Sequence, residues 1–141
     1  MSIIRKSGKP NIEYFPNTTS QAYANNTLQY FDLSGAVIPA DATSGNHAGV
    51  ILETITSSDD KYTTAGMVPV DIYDDNDIFE ATVTGTLTAA MIGGFYDLST
   101  AAIVDVGNQS KNVVLCVGFI SATKGLFKLN ARATVVNVAT T

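Results

Sequence analysis

The chain has 141 residues, enough for one domain with a real core, and carries a formal net charge of -5. Its Lys and Arg total only 8 and are scattered, which argues against the basic footprint that nucleic acid requires. Hydrophobic residues make up 45% and charged residues 15%, too apolar for general disorder and less charged than an average soluble protein.

Residues 1–27 read as an extended N-terminal arm. Pro10 and Pro16 interrupt it, and Asn11, Asn17, Asn25 and Asn26 favour turns. Its apolar residues Ile3, Ile4, Ile12, Tyr14, Phe15 and Tyr23 follow no period, so the arm is expected either to cross its own barrel or to lie on a neighbouring subunit. The opening MSIIRKSGKP has no apolar core and no cleavage site, so it does not read as a secretory signal. Glycosylation of Asn17, Asn25 and Asn108, each in an N-x-[ST] pattern, is set aside on that ground. No apolar run has the length of a membrane span.

Leu28–Leu33 is a first strand, and Ala36–Ile38 either continues it after Gly35 or is an irregular edge ended by Pro39. Asp41–Ala48 is a polar loop holding His47, and Gly49–Thr56 returns to strand character. Ser57–Lys61 is a turn. Val68, Val70 and Ile72 then alternate with Pro69, Asp71 and Tyr73, and Pro69, which cannot donate to a ladder, places this strand at an edge. Asp74–Asp77 is a tight polar turn. In Glu80–Leu87 the polar Glu80, Thr82, Thr84 and Thr86 alternate with Ala81, Val83 and Leu87, the period of a strand with one wet and one dry face. Thr88–Gly93 is the one helical candidate, about one turn long. Tyr96–Leu98 and Ile103–Val106 are short strands. Val113–Ile120 has no polar alternation and reads as a central strand covered on both sides. A hairpin turn at Ser121–Gly125 leads to Phe127–Val135, which alternates again. Many short strands with even turn spacing give an all-β fold, a small β-barrel or β-sandwich over residues 28–141, with the extended arm and at most one short helical turn.

Chemistry is sparse. His47 is the only imidazole and has no nucleophile motif beside it, and Cys116 sits among apolar neighbours where a thiol is inert and no intrachain disulfide is available. Asp71, Asp74, Asp75, Asp77 and Glu80 form the sharpest cluster. Their spacing is not that of an EF-hand, so a solvated turn guarding an edge is preferred to a cation site. Glu53 and Glu80 are the best strand-borne carboxylate pair, and no sugar platform or phosphate loop accompanies them. No catalytic, cofactor or metal residue is assigned, and the chain is not read as an enzyme. A trimeric all-β hydrolase of the dUTPase type is the enzymatic rival, although its nucleotide-binding motifs are missing.

The run VPV at Val68–Val70, then IFEATVTGTLTAAMIGGFYDLS from Ile78 to Ser99 and VVLCVGFISATKGLFKLN from Val113 to Asn130, resemble small β-barrel proteins of tailed-bacteriophage heads. These are the decoration, or cement, proteins that bind outside the assembled shell. The resemblance spans roughly residues 49–132 and carries no catalytic motif. It implies a structural virion protein on the capsid surface, made in the host cytoplasm. Its partner is the major capsid protein, whose neighbouring subunits it bridges. It implies a homo-oligomer, trimer favoured and dimer the alternative, with neither nucleic acid nor membrane as partner. On this reading Ile3, Ile4, Ile12, Tyr14 and Phe15 form a capsid-contact arm that gains order on binding. Deleting residues 1–20 would then leave a folded barrel that no longer binds shells. Another virion part, a tail or head-fibre adaptor, is the alternative.

Overall fold

The computed structural model describes residues 2–17, 20–31, 35–42, 47–63 and 66–130. Its strands are β1 (Ile4–Ser7), β2 (Ile12–Pro16), β3 (Leu28–Phe31), β4 (Val37–Pro39), β5 (His47–Ile51), β6 (Met67–Ile72), β7 (Ile78–Thr84), β8 (Phe95–Thr100), β9 (Ile103–Asp105), β10 (Val114–Ser121) and β11 (Lys124–Leu129). Two short turns of helix interrupt them, α1 (Asp60–Thr63) and a 3-10 turn at Ala89–Met91. The second falls where the Thr88–Gly93 composition places it. The first begins inside the stretch Ser57–Lys61 that reads as a turn.

Strand β7 is the seam of the fold. One of its edges pairs with β11 from Phe79 to Thr82. Its other edge is shared end to end: β1 takes Ile78–Glu80 and β9, in parallel, takes Thr82–Thr84. The β7–β9 pairing closes the circuit β7-β11-β10-β8-β9 into a five-stranded barrel, with β1 outboard. The alternation expected from Glu80 onward is present, with Phe79, Ala81 and Val83 inward. They meet Leu98, Val104, Val114, Cys116 and Phe127 in one core. Phe79 and Phe127, both 0% exposed, lie with ring centroids 6.2 Å apart. Truncating either ring costs about 3–5 kcal/mol.

The second sheet is antiparallel, in the order β2-β6-β5-β3-β4. Leu28 and Val50 on one of its faces join the barrel core, with Ala40 and Tyr73. Val37, Ala48, Ile51, Val68 and Val70 form a second core on the other, closed by Tyr23 and Ile55. Gly49 lets β5 lie close against β6. It has φ +155, and a Cβ there would lie 2.0 Å from the carbonyl oxygen of Asp71, so only glycine fits.

Several expectations are corrected. Residues 4–7 and 12–16 are extended, as read, but they lie on the two sheets as edge strands. β6 is not an edge strand: β2 flanks it on one side and β5 on the other. Pro69 is tolerated because its missing N–H falls opposite Leu52, just past the end of β5 at Ile51, while its carbonyl accepts the Leu52 N–H at 3.0 Å. β10 is covered on one face only. Val114 and Cys116 point into the barrel, Leu115 and Val117 are half-buried, and Phe119 and Ile120 are exposed. His47 opens β5, opposite Tyr30, and is not in a surface loop. The expected continuation of the last strand beyond Asn130, to Val135, lies outside the described residues.

Candidate interaction surface

β2 brings the arm's apolar residues to an edge. Ile12, Tyr14 and Pro16 stand opposite Asp71, Pro69 and Met67 across the β2–β6 ladder, so all six share one face of the second sheet. The face continues to Leu52, bonded through its N–H to Pro69, and then to Ile4 on β1, which lines the same cleft as Leu52. Ile4 (43%), Leu52 (37%), Met67 (47%), Ile12 (48%) and Tyr14 (59%) are all exposed, and together they make an apolar stripe from the barrel rim to the sheet edge. The other two arm residues do not reach it. Ile3 is 2% exposed, in the barrel core. Phe15 is half-buried, edge-to-face on Phe31 at 5.5 Å. A second exposed apolar group, Ile92, Phe95, Phe119 and Ile120, lies on the barrel.

Under the stripe, a cleft of 230 Å³ between β1 and the second sheet has Arg5, Asp71 and Tyr73 among its walls. Arg5 Nε donates to Asp71 Oδ2 at 2.9 Å and Nη2 donates to Oδ1 at 2.6 Å, a bidentate pair. Its Nη1 donates to Asp77. The guanidinium lies 4.5 Å from the centre of the Tyr73 ring. Asp71 Oδ1 also accepts the Asn11 N–H at 2.9 Å, and Asp77 Oδ2 that of Asp74 at 2.8 Å. Hydrogen bonding to Asp71 raises the Arg5 pKa above its ordinary value, against the opposing pull of burial. Burial raises that of the Tyr73 phenol.

This lock reassigns the acidic cluster. Asp71 and Asp77, read as part of a solvated turn, are 5% and 7% exposed and both paired with Arg5, while Asp74 and Asp75 remain exposed. Glu80 lies 3.5 Å from Lys6 and 4.0 Å from Lys124. Glu53 pairs with Lys61 at 2.7 Å and sits in the loop after β5, not on a strand. Glu53, Glu80 and Asp71 therefore answer to different cations. Among the described residues no three of His, Cys, Asp and Glu converge as metal ligands. Cys116 is buried inside the barrel, and desolvation raises its pKa.

Two important polar residues had no functional signal in the sequence. Asp97, 1% exposed, accepts the N–H groups of Lys111 and Asn112, each at 2.7 Å, and the Ser110 hydroxyl at 2.8 Å. It braces the loop between β9 and β10. Asn17, read as a turn former and a glycosylation pattern, is 2% exposed, and its Nδ2 donates to the carbonyls of Gln21 and Lys61.

No protein-family model matches the chain, and no curated protein matches it.

Proposed function

We propose that this chain is a non-enzymatic structural protein of a phage virion. It binds the outer surface of the capsid and bridges neighbouring major capsid subunits, acting as a homo-oligomer. The observation that carries the reading is the apolar stripe of Ile4, Leu52, Tyr14, Ile12 and Met67 on a weakly charged body. Such a stripe costs solubility unless a partner covers it. The resemblance to decoration proteins supports the same reading: two of its three segments supply β7, β8, β10 and β11 of the closed barrel. The separate engagement of Glu53, Glu80 and Asp71 by cations is consistent with work done by adhesion. Of the five arm residues, Ile4, Ile12 and Tyr14 are the ones exposed for contact.

The test is cosedimentation with mature shells that lack the protein. Burying a large apolar side chain completely is worth about 1.5–3 kcal/mol. Ile12 and Tyr14 are roughly half exposed, so replacing both with Ser should remove about 2 kcal/mol, roughly 30-fold in affinity. Thermal stability should stay close to that of the parent. If the parent fails to cosediment, or the double variant saturates shells at the same concentration, the reading is wrong.

A further inference from the structure

β2 is the terminal strand of its sheet, and among the described residues nothing pairs with its outer edge. The groups presented there follow from the ladder. The Asn11 carbonyl accepts from Ile72, and the Asn17 N–H donates to Gly66. Backbone groups of an extended strand alternate between its two edges. Asn11, Glu13, Phe15 and Asn17 therefore face β6, and Ile12, Tyr14 and Pro16 face outward. The free edge offers the N–H and C=O of Ile12 and Tyr14 and the C=O of Pro16. Neither an edge lysine nor a bulge blunts it, since β2 has no Lys and pairs with β6 without a register shift, while Glu13 and Pro16 limit which registers a partner strand can take.

We propose that this edge pairs with β2 of a second copy, antiparallel, about a twofold axis at Tyr14. Two registers give equal numbers of main-chain bonds, and side chains decide between them. Centring on Glu13 sets that carboxylate directly against its own copy, where like charges destabilise. Centring on Tyr14 sets Tyr14 against Tyr14 and Glu13 against Phe15. In that register the two Tyr14 residues exchange two bonds, and each Ile12 N–H donates to the opposing Pro16 carbonyl. Pro16 has no N–H to return and Pro10 has none to offer, so the pairing is confined to the five residues of β2. Pairing uses main chain only. The Ile12, Tyr14 and Met67 side chains stay on the outer face, and the twofold axis doubles the apolar stripe. A contact this small makes a weak, concentration-dependent dimer.

The experiment needs no shells, so it stands or falls apart from the capsid reading. Sedimentation velocity over a roughly hundredfold concentration range should show monomer passing to dimer. Amide exchange followed alongside should show Glu13 and Phe15 protected throughout. Ile12 and Tyr14 should exchange freely in the monomer and gain protection as dimer forms. Tyr14→Pro removes an outward donor and no β6 bond, and Tyr14→Lys places two charges together at the axis. Both should remain monomeric, with melting close to the parent's. A chain monomeric at every concentration overturns the proposal. So does a dimer that survives Tyr14→Lys, or protection of Ile12 and Tyr14 that does not change with concentration.

Discussion

Replacing Arg5 with Met tests what holds the two sheets together. The side chain keeps an unbranched apolar stem and loses the guanidinium, leaving Asp71 and Asp77 facing no cation at 5% and 7% exposure. Removing one partner of a buried ion pair costs about 3–5 kcal/mol. Each carboxylate keeps one backbone donor, from Asn11 and Asp74, which puts the expected loss near the lower bound, about 3 kcal/mol. That is a large share of a total stability on the order of 5–15 kcal/mol, and it should lower the melting temperature by roughly 10 °C. The assay is urea unfolding followed by two independent probes. Arg5→Met combined with Asp71→Asn and Asp77→Asn should recover much of the loss, since no buried charge is then left unpaired. A single-variant cost under about 1 kcal/mol, the size of an exposed pair, would refute the lock. So would a combined variant no more stable than Arg5→Met alone.

Other outcomes follow from the same geometry. Asp97→Ala removes the acceptor for Lys111, Asn112 and Ser110 and should cost about 3 kcal/mol. The amides of Lys111 and Asn112 should lose exchange protection, and unchanged exchange there would sink the assignment. Alkaline stability has a fixed sign. Burial raises Tyr73 from 10.0, with Arg5 pulling the other way, and raises Cys116 from 9.0. Above those values the folded chain keeps protons that the unfolded chain has released, so stability falls as pH rises through 9 to 10 and is undiminished by these groups below that window. Urea midpoints should decline between about pH 8 and about pH 11, and Tyr73→Phe should flatten the decline. A midpoint constant across that range would remove the basis for it.

The wall of the barrel was legible where local period decides the outcome. Phe79, Ala81 and Val83 alternate with Glu80 and Thr82 because β7 has one dry face, and that needs no knowledge of its partners. β10 misled because an apolar run looks the same whether a strand is sandwiched or carries an exposed apolar flank, as Phe119 and Ile120 do. Pro69 misled because the harm of a missing N–H depends on where the neighbouring strand ends, which is a tertiary fact. The acids misled most: Asp71 reads as solvated until Arg5, 66 residues away, closes on it. The apolar arm residues were visible as a set. Which of them face outward was not, since Ile3, just before β1, and Ile4, its first residue, are adjacent and yet one is buried and the other exposed.

That division bears on how the N-terminal segment can be tested. Deleting residues 1–20 was expected to spare the barrel. The structure predicts otherwise, because the deletion removes more than contact residues. It takes Ile3 from the barrel core, Arg5 from two buried carboxylates, β1 from the seam strand β7 and β2 from the edge of β6. It also removes Asn17, which ties Gln21 to Lys61. Losing Arg5 alone costs about 3 kcal/mol, and emptying the Ile3 site adds about 2–5 kcal/mol. The sum, about 5–8 kcal/mol, already reaches the lower part of the range of an ordinary domain, about 5–15 kcal/mol, before the strands are counted. The truncated chain should show no cooperative thermal transition, and its failure to bind shells would carry no information about contact. A sharp transition within a few degrees of the parent's would show that both sheets stand without the segment. The burial of Ile3 and the Arg5 pairing would then be incidental to the fold.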